Sequence, residues 1–320
     1  DMHMLHGSGQ RIPVVPPVAP IAVPETTEAD IEALFLIRGF ERLLLDLFSR
    51  GVLNGTTHTC LGQEYIPVAL SPLFETPDFI FSNHRGHGHY LARFGDVEGL
   101  LLEIMGRVGG VCNGVGGSQH LFRDGFLSTG VLGESVPAAA GMAWSLKRRG
   151  GRGIAVAYTG DGGWGEGSVY ETLNMASLWG LPLLMVVENN AMAQSSHAER
   201  YRAGTIQDRA HAFGIRTLQI TGCDLAEIRN LAGPEIAAMR ERPRPLVIEF
   251  ATQRLGPHSK GDDPRSPKLV AELWRRDWEA PLRQRHPALC ERVTARVSER
   301  LEALRATALQ QPLSEWTDAS

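Results

Sequence analysis

The sequence lacks the features that would place the protein in a membrane, in a secretion pathway or on a nucleic acid. It has no apolar run of the roughly 18 residues that a membrane-spanning helix needs. Its first residues, DMHMLHGSGQ, have neither the charged nor the apolar region of a signal peptide. Its formal net charge of -4 at pH 7 argues against a nucleic-acid backbone as the main partner. We therefore expect a cytoplasmic protein that binds no membrane and no nucleic acid.

Cysteine is also scarce. The chain has 4 cysteines in 320 residues, they are widely scattered, and none forms a CxxC pair. This pattern is typical of reduced thiols rather than of a disulfide framework. The rest of the composition, 43% hydrophobic and 21% charged, is ordinary for a folded domain of this length.

Proline is concentrated near the N-terminus, in the stretch RIPVVPPVAPIAVP. That stretch cannot form a helix, so we expect residues 1–24 to be a short cloning remnant followed by an extended arm. A helix should begin after Thr27, because Asp30 three residues later completes a capping box. Residues 25–320 are then expected to form a single domain, of which residues 266–320 are a charged helical tail.

Short apolar runs alternate with helical stretches through the middle of the chain. Apolar strands that alternate with helices predict an α/β fold, in which a doubly wound parallel sheet carries helices on both faces. The expected strands lie at 79–84, 153–160, 181–190, 215–222 and 245–252, and the expected helices at 167–180 and 225–241.

Polar residues end two consecutive strands of this predicted sheet. Asp161 follows the strand at 153–160, and Asn190 ends the strand at 181–190. Ligands of doubly wound sheets bind beyond the carboxyl ends of the strands, so these two residues should lie on the same rim, on adjacent strands. A carboxylate and an amide oxygen are hard ligands that suit Mg²⁺ or Ca²⁺.

The residues around Asp161 favour a phosphate beside that cation. Gly160, Gly162 and Gly163 allow the backbone to approach a phosphate closely. The helix that starts near Gly167 directs its positive end at the same rim. A magnesium-bound diphosphate is therefore the expected ligand. The alternative is a simple turn at the end of a strand, in which the aspartate caps the following helix.

The spacing of GDG (160–162) and NN (189–190) resembles the thiamine diphosphate motif. The order of motifs along almost the whole chain resembles the alpha subunit of the decarboxylating component of 2-oxoacid dehydrogenase complexes, a family that includes acetoin dehydrogenase. The other segments that carry the resemblance are HTCLGQE (58–64), HRGHG (84–88), GRVGGVCNGVGGSQH (106–120), GVLGESVPAAAG (130–141) and PHSKGDDPRS (257–266).

The resemblance implies that the cofactor is thiamine diphosphate held through Mg²⁺. The implied metal ligands are Asp161, Asn190 and the backbone carbonyl of Met192, a position that is usually tyrosine in the family. Gly162 and Gly163 would give backbone amides to the diphosphate.

Four further residues match cofactor-binding positions of the family. Arg85 would grip the diphosphate with its planar fork of donors. His84 stands where the family has tyrosine, but an imidazole can still donate to a phosphate oxygen. Gly130 and Leu132 match residues whose backbone contacts the aminopyrimidine ring, and Leu132 would also brace the bent cofactor.

The resemblance also implies two catalytic histidines. His258 matches the histidine of the phosphate loop near the thiazolium and the substrate, where it would contact the cofactor and handle protons. The alternative for His258 is a solvated loop position. His58 matches a histidine that lines the substrate side.

One catalytic group is expected from another chain. In two-chain members of the family a beta subunit supplies the glutamate that activates the cofactor, so the resemblance implies an α2β2 assembly. Four glutamates of this chain are candidates for a local substitute, and motif position favours none of them: Glu64, Glu134, Glu166 and Glu171.

The implied reaction is decarboxylation of a small 2-oxoacid, pyruvate or a branched-chain acid, with transfer of the acyl unit to a lipoyl-bearing partner. Departures from the family at His84, Glu134 and Ser135 keep three alternatives open: a carboligase that forms a carbon–carbon bond, an acetoin dehydrogenase, and a regulatory subunit without catalysis. A nicotinamide site in the glycine-rich stretch at 106–120 is disfavoured, because that stretch does not open a helix after a strand.

Overall fold

The computed structural model describes residues 26–53, 55–259 and 263–315. The predicted arm at 1–24, part of the loop at 257–266 and the last residues of the tail fall outside this range. Among the described residues, no helix is both long enough and apolar enough to cross a bilayer.

The described part of the chain contains eleven α-helices. They are α1 (Glu28–Ser49), α2 (Tyr65–Leu70), α3 (His87–Phe94), α4 (Val97–Ile104), α5 (Ser135–Arg148), α6 (Gly167–Trp179), α7 (Ile206–Ala212), α8 (Leu225–Glu241), α9 (Pro267–Arg275), α10 (Glu279–Arg285) and α11 (Pro287–Gln310). α6 and α8 match the helices predicted at 167–180 and 225–241. The predicted helical tail consists of α9, α10 and α11.

Nine strands lie within the same described residues. They are β1 (Phe79–Ser82), β2 (Phe122–Arg123), β3 (Phe126–Ser128), β4 (Ala155–Gly160), β5 (Leu183–Asn189), β6 (Met192–Ala193), β7 (Ser196–His197), β8 (Arg216–Ile220) and β9 (Leu246–Ala251). The five predicted strands are all present as β1, β4, β5, β8 and β9, each shorter by one or two residues at one or both ends. The other four are too short to produce a periodic signal.

Seven strands form one sheet in the order β2-β3-β1-β4-β5-β9-β8. Every pairing in it is parallel except that of β2 with β3. β4 and β5 are neighbours, which confirms that the strands before Asp161 and Asn190 are adjacent. β3 and β4 lie on opposite sides of β1, so the direction of winding reverses there. In open α/β sheets, ligands bind at the carboxyl edge beside such a reversal.

Helices cover both faces of the sheet. Along β4, Ala155 and Ala157 face a core that is shared with α5, α6 and α7. Val156 and Tyr158 face a second core, shared with α1, α8 and α11. This alternation follows from the two-residue period of a strand. The predicted doubly wound α/β architecture is therefore confirmed.

The lead helix α1 begins as predicted. The Thr27 hydroxyl accepts from the backbone amide of Asp30 at 3.1 Å, and Asp30 Oδ2 accepts from the amide of Thr27 at 2.8 Å. Asp30 also forms an ion pair of 2.6 Å with Arg229 on α8. The capping box thus fixes the start of α1 and docks it on a neighbouring helix.

A buried ion cluster ties the tail to α1. Arg38 is 1% exposed, and its guanidinium contacts Glu64 at 2.6 Å and Asp277 at 2.8 Å. Trp278 donates from Nε1 to Glu64 Oε2 at 2.9 Å. Both carboxylate oxygens of Glu64 are therefore engaged, and this glutamate holds the tail in place rather than facing a ligand.

Candidate active site

A cavity of about 510 Å³ opens at the carboxyl edge of β1, β4 and β5. Its volume lies within the range of roughly 300–1,000 Å³ that is typical of small-molecule sites. Eight of the eleven predicted site residues line it: His84, Arg85, Leu132, Asp161, Gly162, Asn190, Met192 and His258. The sheet topology explains this convergence, because these residues follow strand ends or lie in loops at the same edge.

Asp161 follows β4 directly, at the start of a 3₁₀ turn, and is 1% exposed. The hydroxyl of Tyr201 donates a hydrogen bond to its Oδ2 atom. Burial raises the pKa of Asp161, and the Tyr201 hydrogen bond and the charge of Arg202 offset the burial only in part. A buried carboxylate in this state is stabilised by a bound cation. The sequence did not indicate Tyr201, which lies forty residues away along the chain.

Asn190 lies one residue beyond β5. Its Oδ1 atom accepts from the backbone amide of Met192 at 3.1 Å, and its Nδ2 atom donates to Gln63 Oε1 at 3.1 Å. The turn between them places Ala191 at a φ of 60°, in the left-handed region. Asn190 and Met192 thereby reach the same cavity as Asp161, as the predicted metal site requires.

Arg85 is 5% exposed and lies just after β1. Its Nη1 atom donates to the Thr59 carbonyl at 2.8 Å, and its Nη2 atom donates to the His258 carbonyl at 3.2 Å. Burial, with the nearby charge of Arg254, lowers the pKa of Arg85 to about 10. The guanidinium therefore stays charged at neutral pH and can meet an anion in the cavity.

Three histidines meet beside Arg85. The ring of His58 lies 4.7 Å from the ring of His84 and 4.8 Å from that of His258, measured between centroids. Burial, and then the charge of Arg85, lowers the pKa of His84 well below its usual value. Its Nδ1 atom is buried without a hydrogen-bond partner. His84 is therefore a neutral ring with one polar atom left to satisfy.

Three predicted site residues do not line the cavity: His58, Gly130 and Gly163. His58 contacts the two lining histidines from outside. A side chain at Gly163 would place its Cβ 2.4 Å from Thr159 Oγ1, so this glycine lets the turn pack on β4. At Gly130 the Cβ would lie 2.1 Å from Gln119 Oε1, so this glycine leaves room for a neighbouring side chain.

The glycine-rich stretch at 106–120 encloses a carboxylate of the chain itself. Glu103 is 0% exposed, and its Oε2 atom accepts from the amides of Cys112 and Gly114 at 2.6 and 2.8 Å. Its Oε1 atom accepts from the amides of Gly116 and Gly117 at 2.7 and 3.0 Å. A loop of this kind can bind an anion, and here the anion is Glu103. Sequence reasoning missed this residue, because nothing local marks it.

The four glutamates that are candidates for a local catalytic group differ in whether they line the cavity. Glu166 lines the cavity, whereas Glu134 and Glu171 are exposed elsewhere and Glu64 belongs to the Arg38 cluster. Sequence reasoning also missed Glu188, which lines the cavity and contacts His89 at 3.0 Å. Glu166 is thus the one member of the predicted set that faces the site.

A doubly wound sheet with a polar cavity at its carboxyl edge is typical of an enzyme that binds a phosphorylated cofactor. Residues 32–289 match the family model described as the dehydrogenase E1 component. This match covers more than half of the chain, and the chain belongs to that family.

Curated relatives agree with the family match. The chain is 35% identical to the alpha subunit of the pyruvate dehydrogenase E1 component of Zymomonas mobilis over 237 residues, 72% of this chain and 67% of the relative. It is 32% identical to the corresponding subunit of Rhizobium meliloti over 280 residues, 85% and 78% of the two chains. It is 36% identical to the alpha subunit of acetoin:2,6-dichlorophenolindophenol oxidoreductase of Cupriavidus necator over 230 residues, 71% and 69%.

These comparisons confirm the predicted family, the prediction that the chain is an enzyme alpha subunit, and thiamine diphosphate as the cofactor of that family. Alpha subunits of this kind work with a beta subunit.

Proposed function

We propose that the chain is the alpha subunit of a cytoplasmic enzyme that uses thiamine diphosphate and Mg²⁺ to decarboxylate a 2-oxoacid, pyruvate or a branched-chain acid. The acyl unit then passes to a lipoyl-type acceptor. Residues 25–320 are its single domain. The observation that carries the proposal is the convergence of Asp161, Asn190 and Met192 with Arg85 on one cavity.

Two sets of groups in the cavity fit a metal-bound diphosphate. The carboxylate of Asp161, the amide oxygen of Asn190 and the carbonyl of Met192 are the oxygen ligands that Mg²⁺ prefers. Arg85 offers a buried positive charge, and His84 offers a buried ring nitrogen that lacks a partner. A phosphate oxygen would accept from both, which would satisfy the orphaned atom of His84.

When bound, thiamine diphosphate supplies a carbon nucleophile that adds to the 2-oxoacid carbonyl and takes up the electron pair left by carbon dioxide. The residues of this chain have supporting roles. Asp161 and Asn190 would anchor the metal, and Arg85 would neutralise phosphate charge. Gly162 and Gly163 would give backbone amides to the diphosphate.

The remaining predicted residues serve the reacting end of the cofactor. Leu132 lines the cavity and would brace the rings, and Gly130, two residues earlier in the chain, would contact the aminopyrimidine through its backbone. His258 lines the cavity with its Nδ1 atom 3.1 Å from Arg85 Nη2, and it would handle protons beside the substrate. His58, 4.8 Å from His258 between ring centroids, would support it from the substrate side.

The beta subunit would supply the missing glutamate and complete the α2β2 assembly. An exposed apolar face on α5 and α6 is where we expect it to dock. Trp144 is 49% exposed, Leu178 75% and Trp179 45%, and Val131, which precedes the cavity-lining Leu132, is 52% exposed. Large exposed apolar patches mark interaction surfaces.

Acetoin cleavage is the second candidate, and one observation favours it. The identity to an acetoin oxidoreductase subunit, 36%, matches that to a pyruvate dehydrogenase subunit, 35%, over similar lengths. A carboligase is a third candidate, because His84, which stands where the family has tyrosine, lines the cavity. The retention of Asp161 and Asn190 counts against a regulatory subunit without catalysis.

The test is an activity assay on the chain co-expressed with its beta subunit, with thiamine diphosphate and Mg²⁺. Carbon dioxide release is measured from pyruvate and branched-chain 2-oxoacids, and cleavage is measured with acetoin, using an artificial electron acceptor and then a lipoyl protein. We expect release from one 2-oxoacid that disappears in Asp161→Ala and persists in Asp124→Ala, which alters an exposed aspartate.

Each other outcome changes the assignment. Acetoin cleavage without release from any 2-oxoacid would replace the proposal by the acetoin reaction. Release that survives Asp161→Ala would exclude this cavity as the site. Activity with aldehyde acceptors but none with lipoyl protein would favour the carboligase.

A further inference from the structure

Near its end, the glycine-rich loop at 106–120 carries Gln119, whose side chain reaches the predicted catalytic histidine His58. Gln119 Nε2 lies 3.3 Å from the Thr56 carbonyl oxygen and 3.3 Å from His58 Nδ1. A carbonyl oxygen only accepts hydrogen bonds, so the amide nitrogen, not its oxygen, occupies this position. The same nitrogen then donates to His58 Nδ1. A neutral His58 must therefore carry its proton on Nε2.

We propose that Gln119 is a positioning residue that fixes His58 in the Nε2-protonated tautomer. The inference rests on the function proposed above, in which His58 faces the substrate side. With Nδ1 occupied as an acceptor, Nε2 is the ring atom from which a neutral His58 can donate a proton.

The buried carboxylate of Glu41 fixes the loop that carries Gln119 relative to the loop that carries His58. Ser118 Oγ lies 2.8 Å from His87 Nε2, and His87 Nδ1 lies 3.1 Å from Glu41 Oε1. Glu41 Oε1 also accepts from the backbone amide of Cys60 at 2.9 Å. His87 and Glu41 are both 0% exposed. Glu41 thus ties the loop that carries His58 to the loop that carries Gln119.

The hydrogen-bonded side chains of Ser118, His87 and Glu41 follow the order of a hydrolytic triad, but their surroundings indicate a structural role. Loop amides that would be needed for an oxyanion, those of Gly116 and Gly117, already donate to Glu103. Ser118 also does not line the cavity. The serine therefore anchors the end of the loop.

Gly130 is part of the same arrangement. A Cβ there would lie 2.1 Å from Gln119 Oε1. Any side chain at 130 must push the amide away from His58 or move the loop. The requirement for glycine at this position follows from Gln119 as well as from the space needed by a cofactor.

The direct test determines the tautomer of His58. The full chain is labelled with ¹⁵N-histidine, and long-range nitrogen–proton NMR spectra show which ring nitrogen of His58 carries the proton, with His58→Gln used to assign the signal. We expect Nε2–H in the wild-type chain. Gln119→Met should leave a mixture of tautomers, and Gln119→Glu, whose carboxylate accepts from Nδ1–H, should move the proton to Nδ1. Val115→Ala, at a 65% exposed position of the same loop, should match the wild type.

A wild-type His58 spectrum in both Gln119 variants would overturn the inference. A wild-type chain with the proton on Nδ1 would also overturn it. This measurement uses the chain without cofactor or substrate, so a failure of the proposed reaction does not affect it. If the tautomer follows Gln119 but no 2-oxoacid is decarboxylated, the proposed function fails and the positioning role stands.

The functional consequence is measured on the complex with the beta subunit. Gln119→Met should lower kcat/KM about tenfold, the loss of roughly one hydrogen bond of 1.4 kcal/mol. The affinity for thiamine diphosphate should stay unchanged, because Gln119 does not line the cavity. A loss of cofactor binding without a change of tautomer would show general disorder of the loop and would contradict the proposal.

Discussion

The glycine-rich loop at 106–120 should depend on one side chain, Glu103, for its stability. The carboxylate accepts four backbone amides at distances between 2.6 and 3.0 Å, two on each oxygen. The perturbation is Glu103→Gln, which keeps the shape of the side chain. One of the two oxygens becomes an NH₂ group, which donates and cannot accept. Two of the four amides then lose their acceptor and face a donor.

The magnitude follows from this count. A hydrogen bond to a charged group contributes about 1.5–3 kcal/mol. Two of these hydrogen bonds are lost in Glu103→Gln, so the free energy of unfolding should fall by about 3–6 kcal/mol. That loss is large against the roughly 5–15 kcal/mol of a typical domain. Glu98→Gln, on the exposed side of the same helix α4, should change stability by no more than about 0.5 kcal/mol.

The assay is urea unfolding of the full chain followed by tryptophan fluorescence, with limited proteolysis of the native protein at 106–120. We expect a lower midpoint for Glu103→Gln and faster cleavage within the loop, and neither effect for Glu98→Gln. Equal stability of the two variants would refute the reasoning, since it would mean that the four amides find other acceptors at no cost.

Three further predictions concern the cavity. Tyr201→Phe should weaken Mn²⁺ binding about 10–100-fold by magnetic-resonance titration, the usual effect of removing a hydrogen bond to a metal ligand, and unchanged binding would contradict it. Arg85→Lys should weaken thiamine diphosphate binding about tenfold by calorimetry, because lysine is a point charge without the fork, and equal affinity would exclude a bidentate role. The third prediction compares the wild type with Asp161→Asn. Burial raises the pKa of Asp161 in the folded state, so the free energy of unfolding of the metal-free wild type should fall as pH rises from 3.8 through that pKa. The variant should lack this fall in urea unfolding across pH, and a fall that persists would refute the assignment.

The sequence alone predicted the framework of the site well. The pattern predicts that Asp161 and Asn190 share one rim, because both lie at the ends of apolar strands that a helix separates, and parallel strands joined by a helix are commonly neighbours. β4 and β5 are indeed paired in parallel, with Gly160 opposite Glu188. The capping box at Thr27 was equally predictable, since all of its partners lie within three residues.

Contacts between distant segments were not predictable in the same way. Tyr201 reaches Asp161 across forty residues, and Glu103 receives amides from a loop up to fourteen residues away. Neither residue has a periodic or local signal, because the contact depends on how the loops pack after the sheet forms. The role of Gly130 was predicted through the family resemblance, but its contact with Gln119 could come only from the structure.

The electrostatics of the cavity give a physical reason why metal and diphosphate would bind together. Asp161 is a buried carboxylate, and burial raises its pKa because the Tyr201 hydrogen bond and the charge of Arg202 offset the loss of solvent only in part. Arg85 is a buried guanidinium that contacts the carbonyls of Thr59 and His258 and the Nδ1 atom of His258. A cation alone would stabilise the Asp161 carboxylate but would add positive charge beside Arg85. A free phosphate would stabilise Arg85 but would add negative charge beside Asp161. A magnesium diphosphate relieves both, because it offers its cation to Asp161 and its anionic oxygens to Arg85.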